Sequence, residues 1–413
     1  MVRRLPQSLH ALVLVAGLAL ATTAAHARFT PEVHVEGNSR TRSSYVRNRV
    51  HDCLEAQGVE TLAAVDIPAL EQCTIDSELF SSVTVTVDTT VRIAVEERWT
   101  LIPVPFFQSQ QDTRRVGLFL IESNLLGWGK LLVAGATFGN RGNSYLLVLK
   151  DPSIASGDWT VRTVLRRGDE DLYRYDENDK VDGFQQKEGV VRVQPGYRWT
   201  PYLELGWFAE YVDRQYGAAD AFTPDLVDTS YGNTGPVVEY DRTRYRFYFR
   251  EGHKTRLRVG RQFTRSGGGA EAASYELEHD WQFPLLGDNV LKLNLVGAGT
   301  SSSDLRDSLK LGGDGPLRGV ERDGLWARHA AGASVDYQVP LWQGRFGTWA
   351  AGPFACYARY RPPEGGGWQS SRALGAGLFL YLKKIALPGI GVAAGYNPDF
   401  ARGFVDIQVG FGF

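Results

Sequence analysis

The chain has 413 residues, 43% of them apolar and 12% aromatic, with 45 basic against 47 acidic side chains, 46 glycines and a single methionine. That composition excludes a disordered chain, collagen and a coiled coil, and a mean hydropathy of -0.24 argues against a polytopic helical membrane protein. The near-neutral charge balance argues against nucleic acid as the main partner.

Residues 1–27 read as a cleaved signal peptide. Arg3 and Arg4 precede an apolar core over residues 9–20, and Ala25-His26-Ala27 supplies a small-residue cleavage site. A membrane anchor is the alternative, but the apolar run is short for a span and small residues follow it. No later stretch approaches the ~18 uninterrupted apolar residues of a spanning helix, so any membrane contact of the remaining chain is made by strands.

Residues 28–99 carry the pattern of one small mixed domain. Val33 and Val35 alternate with polar residues up to a turn at Gly37-Asn38. Tyr45, Val46, Val50, Cys53 and Leu54 then recur at helical spacing up to Gly58, and a second helix is expected from Pro68 towards Leu79-Phe80. Val83, Val85 and Val87, then Val91, Ile93 and Val95, alternate as a hairpin. The domain contains Cys53 and Cys73, and in an exported chain a disulfide between the two helices is expected, with two free thiols as the alternative. No ligand set for a metal surrounds them.

From Thr100 the pattern changes to strands of about ten residues with period-two alternation. Tyr275, Leu277, Trp281 and Phe283 share one face, and Glu276, Glu278, Asp280 and Gln282 the other. Leu291, Leu293 and Leu295 alternate with Lys292 and Asn294, Leu257 and Val259 with Arg256 and Arg258, and Tyr245, Phe247 and Phe249 with Arg244 and Arg246. A soluble sandwich shows the same alternation. The strand count, the aromatic strand ends and the export signal favour an all-β transmembrane barrel of about 16 antiparallel strands over residues 100–413. Its closing strand places Val405, Ile407, Val409, Phe411 and Phe413 on one face, towards lipid.

Six stretches resemble the BamA/TamA superfamily, in which POTRA domains precede an outer-membrane β-barrel. They are VEGNSRT at 35–41, ELF at 78–80, VEERWTLIP at 95–103, ESNLLGWGK at 122–130, SYLLVLKDP at 144–152 and GGDGPLRGV at 312–320. The last is similar to the family's long-loop motif, which folds back into the lumen. The resemblance implies a lock of that loop by Arg318 and Gly319 onto an inward-facing Asp336, through a charge-assisted bond. The alternative is that Arg318 caps a turn in a solvated loop. The family pattern is departed from in two places: Val320 follows Arg-Gly where an aromatic is usual, and Ala355 and Cys356 stand where a second wall carboxylate is expected. A single POTRA unit is also short for the family.

No nucleophile elbow, zinc-protease helix or phosphate loop is present, so neither enzyme activity nor a cofactor or metal is expected. Glu204, Glu210, Glu276, Glu278 and Asp280 read as counter-charges to Arg244, Arg246, Arg256 and Arg258 in a polar lumen. The resemblance implies an outer-membrane protein assembly or insertion factor, its POTRA domain in the periplasm. Its partners would be outer-membrane lipids and unfolded outer-membrane or secreted client proteins, with no nucleic acid and no accessory lipoprotein assigned. Clients would be captured by strand addition to the POTRA edge and released through a weak seam between residues 115–121 and 401–413, where Gly403, Gly410 and Gly412 lie. The alternative is a protein-secretion channel of the two-partner type, and a surface barrel without transport is a third reading.

Overall fold

The structure is a computed structural model, described here for residues 29–409 apart from 155–156, 177–178, 219–225, 247, 264, 314, 346 and 383–387. The expected signal-peptide segment and the expected closing-strand residues Gly410, Phe411, Gly412 and Phe413 lie outside the described residues.

The N-terminal unit runs β1 (Val33–Glu36), α1 (Ser43–Gln57), α2 (Ile67–Ile75), β2 (Phe80–Val87) and β3 (Val91–Glu97). Its sheet has the order β1-β3-β2, with β1 parallel and β2 antiparallel to β3. Gly58 ends α1 in the left-handed conformation at φ 68, which costs glycine least. Asp66 opens α2 by accepting from the Ala69 backbone N–H. The second helix stops at Ile75, short of the Leu79-Phe80 expected, because Glu78 turns left-handed at φ 63 and Phe80 already belongs to β2. Val46, Val50, Cys53 and Leu54 of α1 pack on Leu70, Phe80, Val91 and Ile93 to make the core. The Cys53 and Cys73 sulfurs are bonded at 2.07 Å, joining α1 to α2. This is a small mixed unit of POTRA-like build.

Sixteen antiparallel strands follow and close into a barrel, the last (Arg402–Val409) pairing with the first (Leu101–Gln110). The N-terminal unit sits at the end where the first strand begins, here termed proximal. Alternation sets the two faces: Val116, Leu118 and Leu120 are 53%, 51% and 45% exposed on the outside. Outward aromatics form two girdles, Trp159, Trp199, Tyr202, Trp281 and Trp342 towards the proximal rim and Phe138, Tyr145, Phe263, Tyr275 and Tyr396 towards the distal one. An apolar band between two aromatic girdles is what a barrel presents to hydrocarbon. Among the described residues no helix is long and apolar enough to cross a membrane.

Two expectations are corrected. The first strand is Leu101–Gln110, and the stretch 115–121 lies within the second, Thr113–Leu125. Pro103 and Pro105 hide the first strand, because proline is a strand breaker everywhere except at an edge. The run containing Tyr245 and Phe249 is not one strand: Thr229–Arg246 ends and Phe249–Phe263 begins there. The alternation crosses a turn, so Arg244 and Arg246 have the opposite parity to the lumenal Glu239. They pair with Glu251 at the proximal rim, at 3.1 and 3.3 Å, not with carboxylates inside the barrel.

Candidate functional site

The candidate site is the lumen and what fills it. Between strands Val290–Thr300 and His329–Gln343 the chain turns inward and forms a short hairpin, Leu309–Leu311 with Leu325–Ala327. Arg318 Nη1 donates to Asp336 Oδ1 at 2.8 Å, and its guanidinium lies 4.5 Å from the centre of the Phe354 ring. Both side chains are almost fully enclosed, where a charge-assisted bond is stronger than at a surface. Gly319 has φ +77, and a Cβ there would come within 2.6 Å of the Phe404 ring, so both space and conformation demand glycine. Val320 is buried against Leu317, Leu325, Ala330 and Tyr360. Cys356, at the departure from the family pattern, places its thiol 3.5 Å from the Gly315 carbonyl. A small wall residue there leaves room for the loop backbone.

Residues just beyond the Arg-Gly pair, which sequence reasoning passed over, reach both sides of the closure. Glu321, 3% exposed, accepts from Arg141 at 2.8 Å and from Thr113 at 3.3 Å, and lies 3.6 Å from Arg402. Arg322 donates to Gln108 at 3.1 Å, and the Gln110 amide donates to the Gly313 carbonyl. Gln108 and Gln110 are on the first strand and Arg402 and Phe404 on the last. The loop therefore plugs the lumen and clasps the seam from within. The only sequence signal for this was an acid-base pair directly after GGDGPLRGV.

The opposite wall is built of ion pairs. Glu239 holds Arg162 at 2.9 Å and Arg256 at 3.3 Å, Glu188 holds Arg214 at 2.6 Å, and Glu276 holds Arg258 at 2.5 Å. Glu210 pairs with Arg192, and Glu204 lies 3.9 Å from Lys150. Each arginine here meets a carboxylate, which a wall of low dielectric requires. Glu278 and Asp280, with Asp336 and Arg318, line a lumenal cavity of about 650 Å³ beside the plug. A larger cavity of about 1060 Å³ separates α1 and α2 from the proximal mouth. Asp52 and Gln72 line it on one side, and Lys150, Glu204, Glu239 and Glu251 on the other.

The N-terminal unit is fixed at this mouth by two stretches singled out in the sequence, which meet. Asn124 donates to the Thr41 hydroxyl at 2.8 Å, Arg42 N–H to the Gly127 carbonyl at 2.9 Å, and the Arg42 guanidinium lies 4.5 Å from the Trp128 ring. Gly127 and Gly129 both have positive φ, and a Cβ on Gly129 would strike the Tyr45 ring at 2.1 Å. On the other side of the mouth Arg198 pairs with Asp52 at 3.0 Å, and Arg250 with Glu78. Glu97 secures the same loop: its carboxylate accepts from the Arg40 N–H at 2.9 Å, the Thr41 N–H at 2.5 Å and the Ser39 hydroxyl at 2.8 Å. Burial raises the Glu97 pKa, but these donors outweigh it and bring the carboxyl down to about 2.

The fold as a whole is similar to solved structures. The fold is that of BamA and CdiB. The crystal structure of BamA from Haemophilus ducreyi lacking POTRA domains 1-3 matches with a TM-score of 0.60 at 12% identity, over 94% of this chain and 86% of that one. CdiB from Escherichia coli matches with a TM-score of 0.65 at 12% identity, over 93% and 77%. CdiB from Acinetobacter baumannii matches with 0.57 at 12% identity, over 92% and 74%. No protein-family model matches the sequence, and no curated protein matches it by sequence. Among the described residues no group of His, Cys, Asp or Glu is placed to hold a metal ion.

Proposed function

We propose that this protein is an outer-membrane translocation barrel of the secretion type. It receives an extended polypeptide on its periplasmic N-terminal unit and passes it through the lumen once loop 301–328 is displaced. The observation that carries this reading is the continuity of the path. The cavity under α1 and α2 opens onto Lys150, Glu204 and Glu239, the first tier of the paired-charge wall. From there Arg192 with Glu210 and Arg214 with Glu188 lead up to the plug. A hydrated wall with both signs of charge lets a polypeptide slide without binding it tightly. The likeness to two CdiB structures supports the same side of the choice.

The plug opens by breaking the Arg318–Asp336 and Glu321–Arg141 pairs, both of which water and a passing chain can replace. Capture at the N-terminal unit uses the β2 edge, where the Val85 N–H is already held by the Glu71 carboxylate at 2.9 Å and must be released. A second reading, insertion of client barrels through the seam, is favoured by one observation. The first strand ends at Gln110 opposite Asp406, so Arg402–Val405 of the last strand run past its end.

Planar-bilayer recording tests the proposal. The intact chain is expected to conduct little, and a variant lacking residues 305–327 to show a large, steady conductance. Equal conductance of the two would refute the plugged channel.

A further inference from the structure

The first strand carries two prolines, and the ladder fixes which way they face. The Ser123 N–H donates to the Thr100 carbonyl at 3.3 Å, and the Asn140 N–H to the Arg114 carbonyl at 3.2 Å. In an antiparallel pair each residue aims both its N–H and its C=O to one side, and its neighbours aim theirs to the other. The register runs unbroken from Leu101↔Glu122 to Gln110↔Thr113. The even-numbered residues of the first strand therefore bond the second strand, and the odd-numbered ones face the seam. The seam-facing set is Leu101, Pro103, Pro105, Phe107 and Ser109. Phe107 pairs with Val409 and Ser109 with Ile407. Below them, two of the three remaining positions have no N–H to offer.

The placement is selective. Pro103 lies opposite Leu120 and Pro105 opposite Leu118, both non-bonded pairs, so the ladder to the second strand loses nothing. A proline at residue 102, 104 or 106 would have broken that ladder. The two rings are exposed on the lipid side of the strand. Edge prolines are a device by which sheets refuse additional strands.

We infer that the proximal half of this edge is closed to strand addition, so that an extended client strand can pair with the first strand only opposite residues 107–110. A client carbonyl aimed at Pro103 or Pro105 meets neither a donor nor water in the hydrocarbon layer. The proximal half is also the half nearest the N-terminal unit, from which a client would arrive. The chemistry of the edge stands by itself. Its consequence, that traffic is turned from the seam to the lumen, rests on the translocation reading.

The test uses the full chain in liposomes and, as probe, a synthetic peptide of residues 402–413 bearing a photo-cross-linker. With the native protein, cross-links are expected at residues 107–110 and not at 101–105. Replacing both prolines (Pro103→Val with Pro105→Val) restores two donors and should raise peptide capture about tenfold, with new cross-links at 101–105. Leu101→Val, which leaves the donors as they are, should not. Native cross-links at 101–105, or unchanged capture in the double variant, would overturn the inference. If the double variant does not fold, the native cross-link map alone decides. Conductance of the plug-deleted chain is read separately, so failure of the channel reading is distinguishable from failure of this one.

Discussion

The wall formed by Trp159–Asp176 and Asp179–Thr200 and the seam formed by Leu101–Gln110 and Arg402–Val409 are made of the same kind of strand but held differently. Eighteen residue pairs join the two strands of the wall, whereas at the seam the first strand ends opposite Asp406, so that Arg402–Val405 of the last strand run past it. The wall adds buried ion pairs across its inner face. The seam instead relies on the plug, whose Glu321, Arg322 and Gly313 touch both of its strands. Strength in the wall is therefore built into its own ladder, whereas strength at the seam is lent by a loop that can leave.

Substitutions in the two regions should therefore differ in effect. The largest effect is expected where strand Thr229–Arg246 braces the wall by pairing Glu239 with Arg162. Glu239→Ala strands two arginines beside a vacated carboxylate and should cost ~3–5 kcal/mol of barrel stability, measured by urea unfolding in lipid. Next, Cys53→Ser with Cys73→Ser removes a cross-link that closes a stretch of 20 residues. It should cost the N-terminal unit ~3 kcal/mol and leave the heat-modifiable gel migration of the barrel unchanged. Glu321→Ala loosens the clasp, leaving Arg141 partly unpaired, and should destabilise the seam by ~1–3 kcal/mol while the wall keeps its unfolding midpoint. The smallest effect belongs to the seam's own side chains: Ser109→Ala, on the lipid face, should change stability by no more than ~0.5 kcal/mol.

Acid should separate the docking loop from the barrel. The donors around Glu97 bring its carboxyl down to about 2, against 4.5 for the free group. Its stabilisation is present in full above the higher value and is lost as pH falls from there through the lower. Thermal unfolding of the N-terminal unit followed between pH 6 and pH 2 should show this loss, and Glu97→Gln should flatten the profile.

Much of the architecture could be read from side-chain alternation, because a strand between oil and a wet interior has little freedom in which residues it places where. The reading failed where backbone chemistry overrode that pattern. Pro103 and Pro105 masked the first strand, and the alternation from Tyr245 to Phe249 ran straight through a turn. Arg318 and Asp336, whose side chains lie within 2.8 Å, were expected to meet from one family motif together with parity. Glu321 was not, because nothing local tells a clasp residue from a solvated one. Nor could spacing show that Thr41 and Arg42 would meet Asn124 and Trp128, some eighty residues away in the chain.

One molecule can separate a lumenal path from a path through the seam. A chain lacking residues 305–327 and carrying Phe107→Cys with Val409→Cys, which are register partners, would have an open lumen and a seam locked by a disulfide. Its large bilayer conductance is expected to persist under oxidising conditions and to stay unchanged when the lock is reduced. Conductance that appears only on reduction would contradict a lumenal path, because the path would then run through the seam.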